Sequence, residues 1–141
     1  MNKNVDRQIT IAFLLVVHSN PEQVNLFIKQ ILGYPYSYVY IHVDAKYLNI
    51  VPKIMKDERV TIVPKHFNIK WGDYTQNVTN NYLLRFASEQ RYHTYYSLHS
   101  GADLMIRPIY ELIICRKQIN MLIVNVLSCL LSGNMEVVWV G

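Results

Sequence analysis

The sequence has few of the residues that stabilise small secreted or metal-bound scaffolds. Its 141 residues include two cysteines, Cys115 and Cys129, which are too few for a disulfide framework and lack the spacing of a zinc site. The excess of positive over negative charge is also small, since 14 Lys and Arg against 10 Asp and Glu leave a net charge of +4. That charge favours an anionic ligand but is too small and scattered to indicate a nucleic-acid partner.

Long hydrophobic runs are missing as well. The two apolar runs, residues 9–17 and 121–131, are shorter than the roughly 20 residues that cross a bilayer, and no small-residue cleavage site follows the first. The sequence therefore predicts no signal peptide and no transmembrane helix, and it favours a cytoplasmic or peripherally membrane-associated protein. Hydrophobic residues nevertheless make up 51% of the chain, which is enough for a substantial core.

Alternating strand and helix patterns predict an α/β fold with a mostly parallel sheet. Residues 9–17 form a continuous apolar run, which is typical of a central strand buried on both faces. A helix is predicted over residues 21–32, with Asn20 as its cap and Gly33 as its stop signal. A strand over residues 38–43 follows and completes a right-handed βαβ unit.

The alternation then repeats along the chain. Val78, Tyr82 and Phe86 give the second amphipathic helix its predicted buried stripe. A polar turn is predicted over residues 99–103. The remaining predicted elements are a short helix, a strand, the second helix and a fourth strand, over residues 50–56, 60–63, 75–88 and 94–98.

Polar and aromatic side chains follow the predicted strands. His18 comes after the first strand, Asp44 after the second and Asp103 after the fourth, while Trp71 lies in an irregular stretch. Ligands of parallel sheets bind at the carboxyl ends of the strands, where carboxylates accept hydroxyl or base N–H groups and an aromatic face stacks. Each residue also has a structural interpretation, as a turn cap, a partner of backbone groups or a core side chain.

Several common catalytic motifs are absent. The chain has neither the G-x-G-x-x-G nor the G-x-x-x-x-G-K phosphate loop, and it lacks the Asp-x-Asp pair with which many nucleotide-sugar transferases hold a metal ion. Adjacent His99 and Ser100 are the only candidate pair for a hydrolase, but the nucleophile-elbow spacing is incomplete. The side chains of neighbouring strand residues rarely face one another, which disfavours a hydrolase.

Four segments stand in a characteristic order: IAFLLVVHSNPEQ, YVYIHVDAK, KWGDYTQ and YYSLHSGAD. Together they resemble the core-2/I-branching β-1,6-N-acetylglucosaminyltransferase family, which includes the peptide O-xylosyltransferases. The resemblance implies that residues 1–113 are the N-terminal, Rossmann-like, nucleotide-sugar-binding part of a GT-A glycosyltransferase. It also implies inverting transfer from UDP-GlcNAc or UDP-xylose to a hydroxyl of a glycan or protein, with no metal ion or other cofactor.

The resemblance also implies the roles of individual residues. Asp103 would contact the donor sugar or the acceptor hydroxyl and is the one catalytic candidate. Met105 stands where the family usually has proline, and Asp73 where many members have a second glycine. The residues implied to bind the UDP-sugar are Val16, His18, Asp44, Ile69, Lys70, Trp71 and Asp103, and no metal ligand is implied.

Residues 114–141 do not resemble the family. Inverting transfer needs a base for the attacking hydroxyl and positive charge for the leaving diphosphate, and neither is assigned within the chain. A frameshift near residues 114–119 is one hypothesis, because residues 120–141 re-read in a shifted frame give Trp followed by a Gly-rich stretch. We therefore expect a truncated transferase with impaired activity. The alternative is a non-catalytic UDP-sugar-binding or interaction fragment that self-associates through exposed apolar surface.

Overall fold

A computed structural model describes residues 8–109, 111 and 136–138. The fold is α/β, built on a parallel sheet of order β3-β2-β1-β4-β5, with β1 between β2 and β4. This confirms the predicted class, the parallel sheet and the inner position of the first strand. The strands are β1 (Ile11–Val17), β2 (Ser37–Val43), β3 (Val60–Ile62), β4 (Tyr95–Ser100) and β5 (Glu136–Val138).

Two helices cover opposite faces of the sheet. Helix α1 (Pro21–Leu32) packs on the face that carries Phe13 and Leu15 of β1. Helix α2 (Thr75–Gln90) packs on the other face, which carries Leu14. Because both faces of β1 are covered, successive side chains along this strand are apolar, which accounts for the continuous hydrophobic run.

The start of α1 follows its local sequence signals. The side chain of Asn20 accepts a hydrogen bond from the Gln23 N–H at 3.2 Å, and Pro21 occupies the first helical position. Asn20 itself has a left-handed backbone, with φ of 47°. The helix ends at Leu32 as predicted, but Gly33 keeps a right-handed backbone with φ of −60°, so a left-handed glycine is not what stops it.

The short helix after β2 begins earlier than predicted. The expected span of residues 50–56 is wrong, because a kinked 3-10 helix occupies Ala45–Lys53 and Ile54 is already extended. Asp44 is the reason, since its carboxylate accepts a hydrogen bond from the Lys46 N–H at 3.0 Å and thereby caps this segment directly after the strand.

The buried face of α2 also differs from the predicted stripe. Val78 is exposed, and Tyr82 and Phe86 lie half-buried at the border of the core. The buried face is therefore turned by about one residue from the predicted stripe. The side chains that the helix buries are Thr79, Leu83, Leu84 and Ala87.

Strand β4 runs two residues beyond its predicted end at residue 98. Ser100 still pairs with Val16 of β1, so His99 and Ser100 belong to the strand and the turn begins at Gly101. Among the residues that the structure describes, no helix combines the length and apolar character needed to cross a bilayer. Of the tail of residues 114–141, only residues 136–138, in β5, are among the described residues. The residues on which the frameshift hypothesis rests otherwise lie outside the described part of the chain.

Candidate functional site

The strand order reverses direction at the carboxyl end of β1. The chain passes from β1 to β2 and β3 on one side and then crosses to β4 on the other. The Asp44 N–H donates to the Val17 carbonyl at 2.8 Å, and the Gly101 N–H donates to the Val16 carbonyl at 2.9 Å. Asp44 and the turn at Gly101 therefore flank the end of β1, where His18 follows. Such a reversal is the usual ligand position in open α/β sheets.

A group of side chains on the β2 side of this edge forms what we call the edge cluster: His18, Asp44, Lys46, Tyr47 and Trp71. The His18 ring centre lies 6.5 Å from the Trp71 ring, at 89°, and 6.4 Å from the Tyr47 ring. Trp71 is 82% exposed, and Tyr47 is partly exposed. The cluster therefore presents aromatic surface to solvent beside the strand ends.

Asp44 is a buried carboxylate, only 3% exposed. Besides its bond from the Lys46 N–H, its second oxygen lies 3.5 Å from the Lys46 ammonium. That ammonium also donates to the Ile69 carbonyl at 2.7 Å. Lys46 thus neutralises a carboxylate that would be costly to bury alone, and it links the 3-10 helix to the segment that carries Trp71.

The segment that carries Trp71 is attached to the end of β2 through histidines. The Phe67 N–H donates to His42 Nε2 at 2.8 Å, and the His66 ring donates from Nδ1 to the Val43 carbonyl at 2.8 Å. Burial, reinforced by His66, lowers the pKa of His42 to about 4. His42 is therefore neutral at neutral pH and remains an acceptor for this backbone bond.

The turn before α2 is shaped by backbone geometry. Gly72 has φ of +75°, a left-handed conformation that suits glycine. The Asp73 carboxylate accepts the Tyr74 N–H at 2.5 Å, and the Lys70 N–H donates to the Thr75 hydroxyl at 2.9 Å. Asp73 is therefore engaged with the start of α2, while Lys70 is exposed on the same turn.

Asp103 lies on the opposite side of β1, at the end of β4. Its Oδ2 accepts a hydrogen bond from the Ser100 N–H at 3.1 Å and lies 3.2 Å from His99 Nδ1, while its Oδ1 accepts from the Ser100 hydroxyl at 3.2 Å. The side chain is 44% exposed. Within the described part of the chain, the contacts of Asp103 are with this strand end and not with the edge cluster.

Two glutamines of α1 hold the segment around Asp103. The Gln23 amide donates to the Ala102 carbonyl. The Gln30 amide accepts from the Met105 N–H at 2.9 Å and donates to the Met105 carbonyl at 3.1 Å. Because the two glutamines are about two helical turns apart, they lie on the same side of α1. The backbone on either side of Asp103 is therefore anchored.

The hydrolase pair considered from the sequence does not form. The Ser100 hydroxyl bonds to Asp103, and His99 Nε2 lies 2.7 Å from the Ser97 hydroxyl instead. Ser97 is only 7% exposed, and its hydroxyl is engaged with His99. Sequence reasoning missed the Ser97–His99 pair because it ended the strand at residue 98 and assigned His99 to the turn. The spacing of two residues within a strand was the available signal, since it places Ser97 and His99 on one face.

The structure brings part of the implied site together. The backbone carbonyl of Ile69 is linked to the edge cluster by its hydrogen bond from Lys46. Sequence reasoning did not identify Lys46 or Tyr47 as site residues. The signal for Lys46 was its place two residues after an aspartate that ends a strand, a spacing typical of a capping turn. Val16 is half-buried against the α2 side of the core.

The fold and this edge define an α/β protein with a parallel, Rossmann-like sheet. The chain matches no known family model, and no curated protein is significantly similar to it. In residues 8–109 and the few described beyond them, no three His, Cys, Asp or Glu side chains are grouped as metal ligands.

Proposed function

We propose that this chain binds a UDP-sugar at the carboxyl edge of its sheet, as the nucleotide-binding part of a GT-A-type glycosyltransferase. The observation that carries the proposal is a buried carboxylate, Asp44, beside the exposed Tyr47 and Trp71 at the point where the strand order reverses. The resemblance of four ordered segments to the core-2/I-branching family supports the same ligand class.

The edge cluster suits the uridine part of such a donor. Asp44 retains acceptor capacity beyond its two contacts with Lys46, so it accepts the uracil N3–H or a ribose hydroxyl. The exposed ring of Trp71 provides a stacking surface for the base, and His18 supports that ring from the side. Stacking and a carboxylate acceptor together favour a nucleoside over a simple anion.

Lys46 serves the diphosphate in this proposal. Its ammonium lies over Asp44 but 45% of its side chain is exposed, so the long stem has room to move. A bound diphosphate offers the Lys46 ammonium a second anion. When the ammonium moves toward the diphosphate, Asp44 becomes accessible to the nucleoside. Lys70, exposed on the neighbouring turn, adds a second positive charge on the same side.

Asp103 faces the sugar in this proposal. It lies on the other side of the β1 end from the edge cluster, and its carboxylate is partly exposed and anchored by Ser100. A fixed carboxylate orients sugar hydroxyls by accepting their hydrogen bonds. The sugar is GlcNAc or xylose, and the acceptor is a hydroxyl of a glycan or a protein.

Donor binding, rather than efficient transfer, is the activity that we propose for this chain. Inverting transfer requires a base that removes the acceptor proton and cations that stabilise the leaving diphosphate. Neither a base nor a full set of such cations is assigned among its residues. We therefore expect transfer to a defined acceptor to be weak or absent.

Isothermal titration calorimetry with UDP and UDP-GlcNAc, with and without EDTA, tests the proposal. Asp44→Asn should weaken UDP binding about tenfold or more, because it removes a charged acceptor. Asp57→Asn is the matched control, since Asp57 also accepts the N–H two residues on, at 2.9 Å, but precedes β3 at the opposite end of the strands. EDTA should change nothing.

A second pair of variants avoids the buried carboxylate. Trp71→Ala should cost about 1–3 kcal/mol of UDP binding through lost stacking, with no effect on folding because the ring is exposed. Tyr92→Ala, which removes another exposed ring, should leave binding unchanged. A folded wild-type protein that binds neither ligand would contradict the proposal, as would equal losses in Trp71→Ala and Tyr92→Ala.

The second candidate function is a non-catalytic module that associates with a second copy of itself. It is favoured by Ile106, which is 99% exposed, and by the half-exposed Leu104 two residues before it. Neighbouring exposed aliphatic side chains are typical of association surfaces. Sedimentation velocity should then show a concentration-dependent dimer that Ile106→Ser weakens. A monomer at all concentrations would contradict it.

A further inference from the structure

A chain of three hydrogen-bonded side chains runs from β4 to Asp103, which is its last member. The Ser97 hydroxyl lies 2.7 Å from His99 Nε2, and His99 Nδ1 lies 3.2 Å from Asp103 Oδ2. Ser97 and His99 are two residues apart in the strand, so their side chains share a face. The chain of bonds thus begins at a buried hydroxyl and ends at a partly exposed carboxylate.

We propose that His99 is a positioning residue that fixes the Asp103 carboxylate for a hydroxyl of the donor sugar, a role that rests on the proposed function. An ionised carboxylate only accepts hydrogen bonds, so His99 Nδ1 carries the proton. In the neutral ring, Nε2 is then an acceptor, and the Ser97 hydroxyl donates to it. The acceptor-only carboxylate of Asp103 therefore selects the tautomer, and Ser97 stabilises it by donating its hydroxyl proton to Nε2.

The His99 ring is held by packing as well as by hydrogen bonds. It stacks on Phe13 with ring centres 5.6 Å apart and an angle of 24°, and it makes a T-shaped contact with Phe27 with ring centres 5.2 Å apart. Burial lowers the pKa of His99, although Asp103 acts in the opposite direction. A neutral ring clamped between two aromatic side chains is a rigid donor.

The two oxygens of Asp103 have different environments. Oδ2 faces both His99 Nδ1 and the Ser100 N–H, whereas Oδ1 accepts only from the Ser100 hydroxyl. Oδ1 therefore keeps more acceptor capacity for a ligand. The order of groups is that of a serine hydrolase, but the buried Ser97 works here as a donor at the inner end and not as a nucleophile.

The first test reads the tautomer in the wild-type protein without any ligand. Nitrogen-15 NMR of the His99 ring at neutral pH should show a protonated Nδ1 and an unprotonated Nε2. Ser97→Ala should shift the Nε2 resonance, since it removes the hydroxyl donor. A ring protonated at Nε2 alone, or at both nitrogens, would overturn the inference.

The second test compares two variants of His99 by calorimetry with UDP and UDP-GlcNAc. Asparagine places a donor near the position of Nδ1, whereas glutamine places its amide near Nε2. His99→Gln should weaken UDP-GlcNAc binding roughly fivefold and leave UDP binding unchanged, and His99→Asn should stay within about twofold of wild type. Unchanged UDP-GlcNAc binding in His99→Gln, or equal losses for both ligands, would overturn the role.

Asp103→Ala separates this inference from the proposed function. Weaker UDP-GlcNAc binding in Asp103→Ala but not in His99→Gln would overturn the role of His99 alone. A folded wild-type protein that binds neither ligand would overturn the proposed function and this role with it. If the His99 variants do not fold, Ser97→Ala decides by the same comparison, with a selective loss of UDP-GlcNAc affinity expected and no loss contradicting the role.

Discussion

At the scale of single residues, Gly101 determines how the chain leaves β4 beside the site. A Cβ at this position would lie 2.9 Å from Val17 Cγ2 and 3.3 Å from Val17 Cα. The Gly101 N–H also donates to the Val16 carbonyl, so the backbone lies against β1. Glycine is required here for close approach and not for an unusual backbone angle.

Gly101→Ala should therefore destabilise the protein by about 1–3 kcal/mol, through overpacking against Val17. Urea unfolding measures the loss. Val17→Ala removes the nearer of the clashing atoms, so Gly101→Ala should cost less in that background than in the wild type. An equal cost in both backgrounds would show that the contact with Val17 is not the cause.

Met105 gives a second prediction at this scale. Its N–H donates to Gln30, and proline, the residue usual in the family pattern, has no N–H to offer. Met105→Pro should therefore destabilise the protein by about 1 kcal/mol more than Met105→Ala, which loses the same side-chain packing but keeps the hydrogen bond. Urea unfolding of the two variants compares them directly, and equal stabilities would contradict the anchoring role of Gln30.

At the scale of elements, local signals succeeded where the deciding contacts are local. The start of α1 was predictable because Asn20, Pro21 and Gln23 act on each other within one turn. The 3-10 helix is the exception, because its cap from Asp44 to the Lys46 N–H is equally local, but the helix was predicted from residues 50–56 and not from this cap. The buried face of α2 is set by its packing against the sheet, which the apolar periodicity of the helix alone does not contain.

The cap of α1 can be tested with a pair of variants. Asn20→Ala loses the cap and also places a Cβ in a left-handed backbone, so we expect a loss of about 1–2 kcal/mol in the free energy of unfolding. Asn20→Gly loses the same hydrogen bond, but glycine adopts the left-handed backbone without strain. This variant should cost only about a few tenths of a kcal/mol, as is usual for glycine at a helix cap. If glycine were as harmful as alanine, the backbone contribution would be refuted.

At the scale of the whole molecule, the sequence was sufficient for the fold class and for the sheet edge at which the polar residues after the strands lie. Continuous apolar strands between helical stripes predicted the parallel sheet, and parallel strands bring His18, Asp44 and Asp103 to one edge. The contact of His18 with Trp71 depends on a long irregular segment. Such contacts are set by tertiary packing, which no local pattern encodes.

Two buried histidines make the stability of the molecule depend on pH. Burial lowers the pKa values of His42 and His93 to about 4, from an ordinary value of 6.5. Each therefore binds fewer protons in the folded state than in the unfolded state between those values. Their contribution to stability is complete above pH 6.5 and is lost as the pH falls toward 4.

Urea unfolding between neutral pH and pH 4 should show this loss, with each histidine contributing up to about 1.4 kcal/mol per pH unit. His93→Gln retains an acceptor for the Tyr40 hydroxyl, which bonds His93 Nε2 at 2.9 Å. The variant should reduce the dependence on pH by the contribution of His93. A dependence as steep as that of the wild type would contradict the assignment.

The most direct test of the central claim is an amide NMR titration of the wild-type protein with UDP. We expect the largest shifts at the carboxyl edge, around His18, Asp44 and Trp71, and we expect UDP-GlcNAc to extend them to Asp103. Residues at the opposite end of the strands, such as Asp57, should not shift. Shifts centred away from the carboxyl edge, or no shifts at saturating UDP, would contradict it.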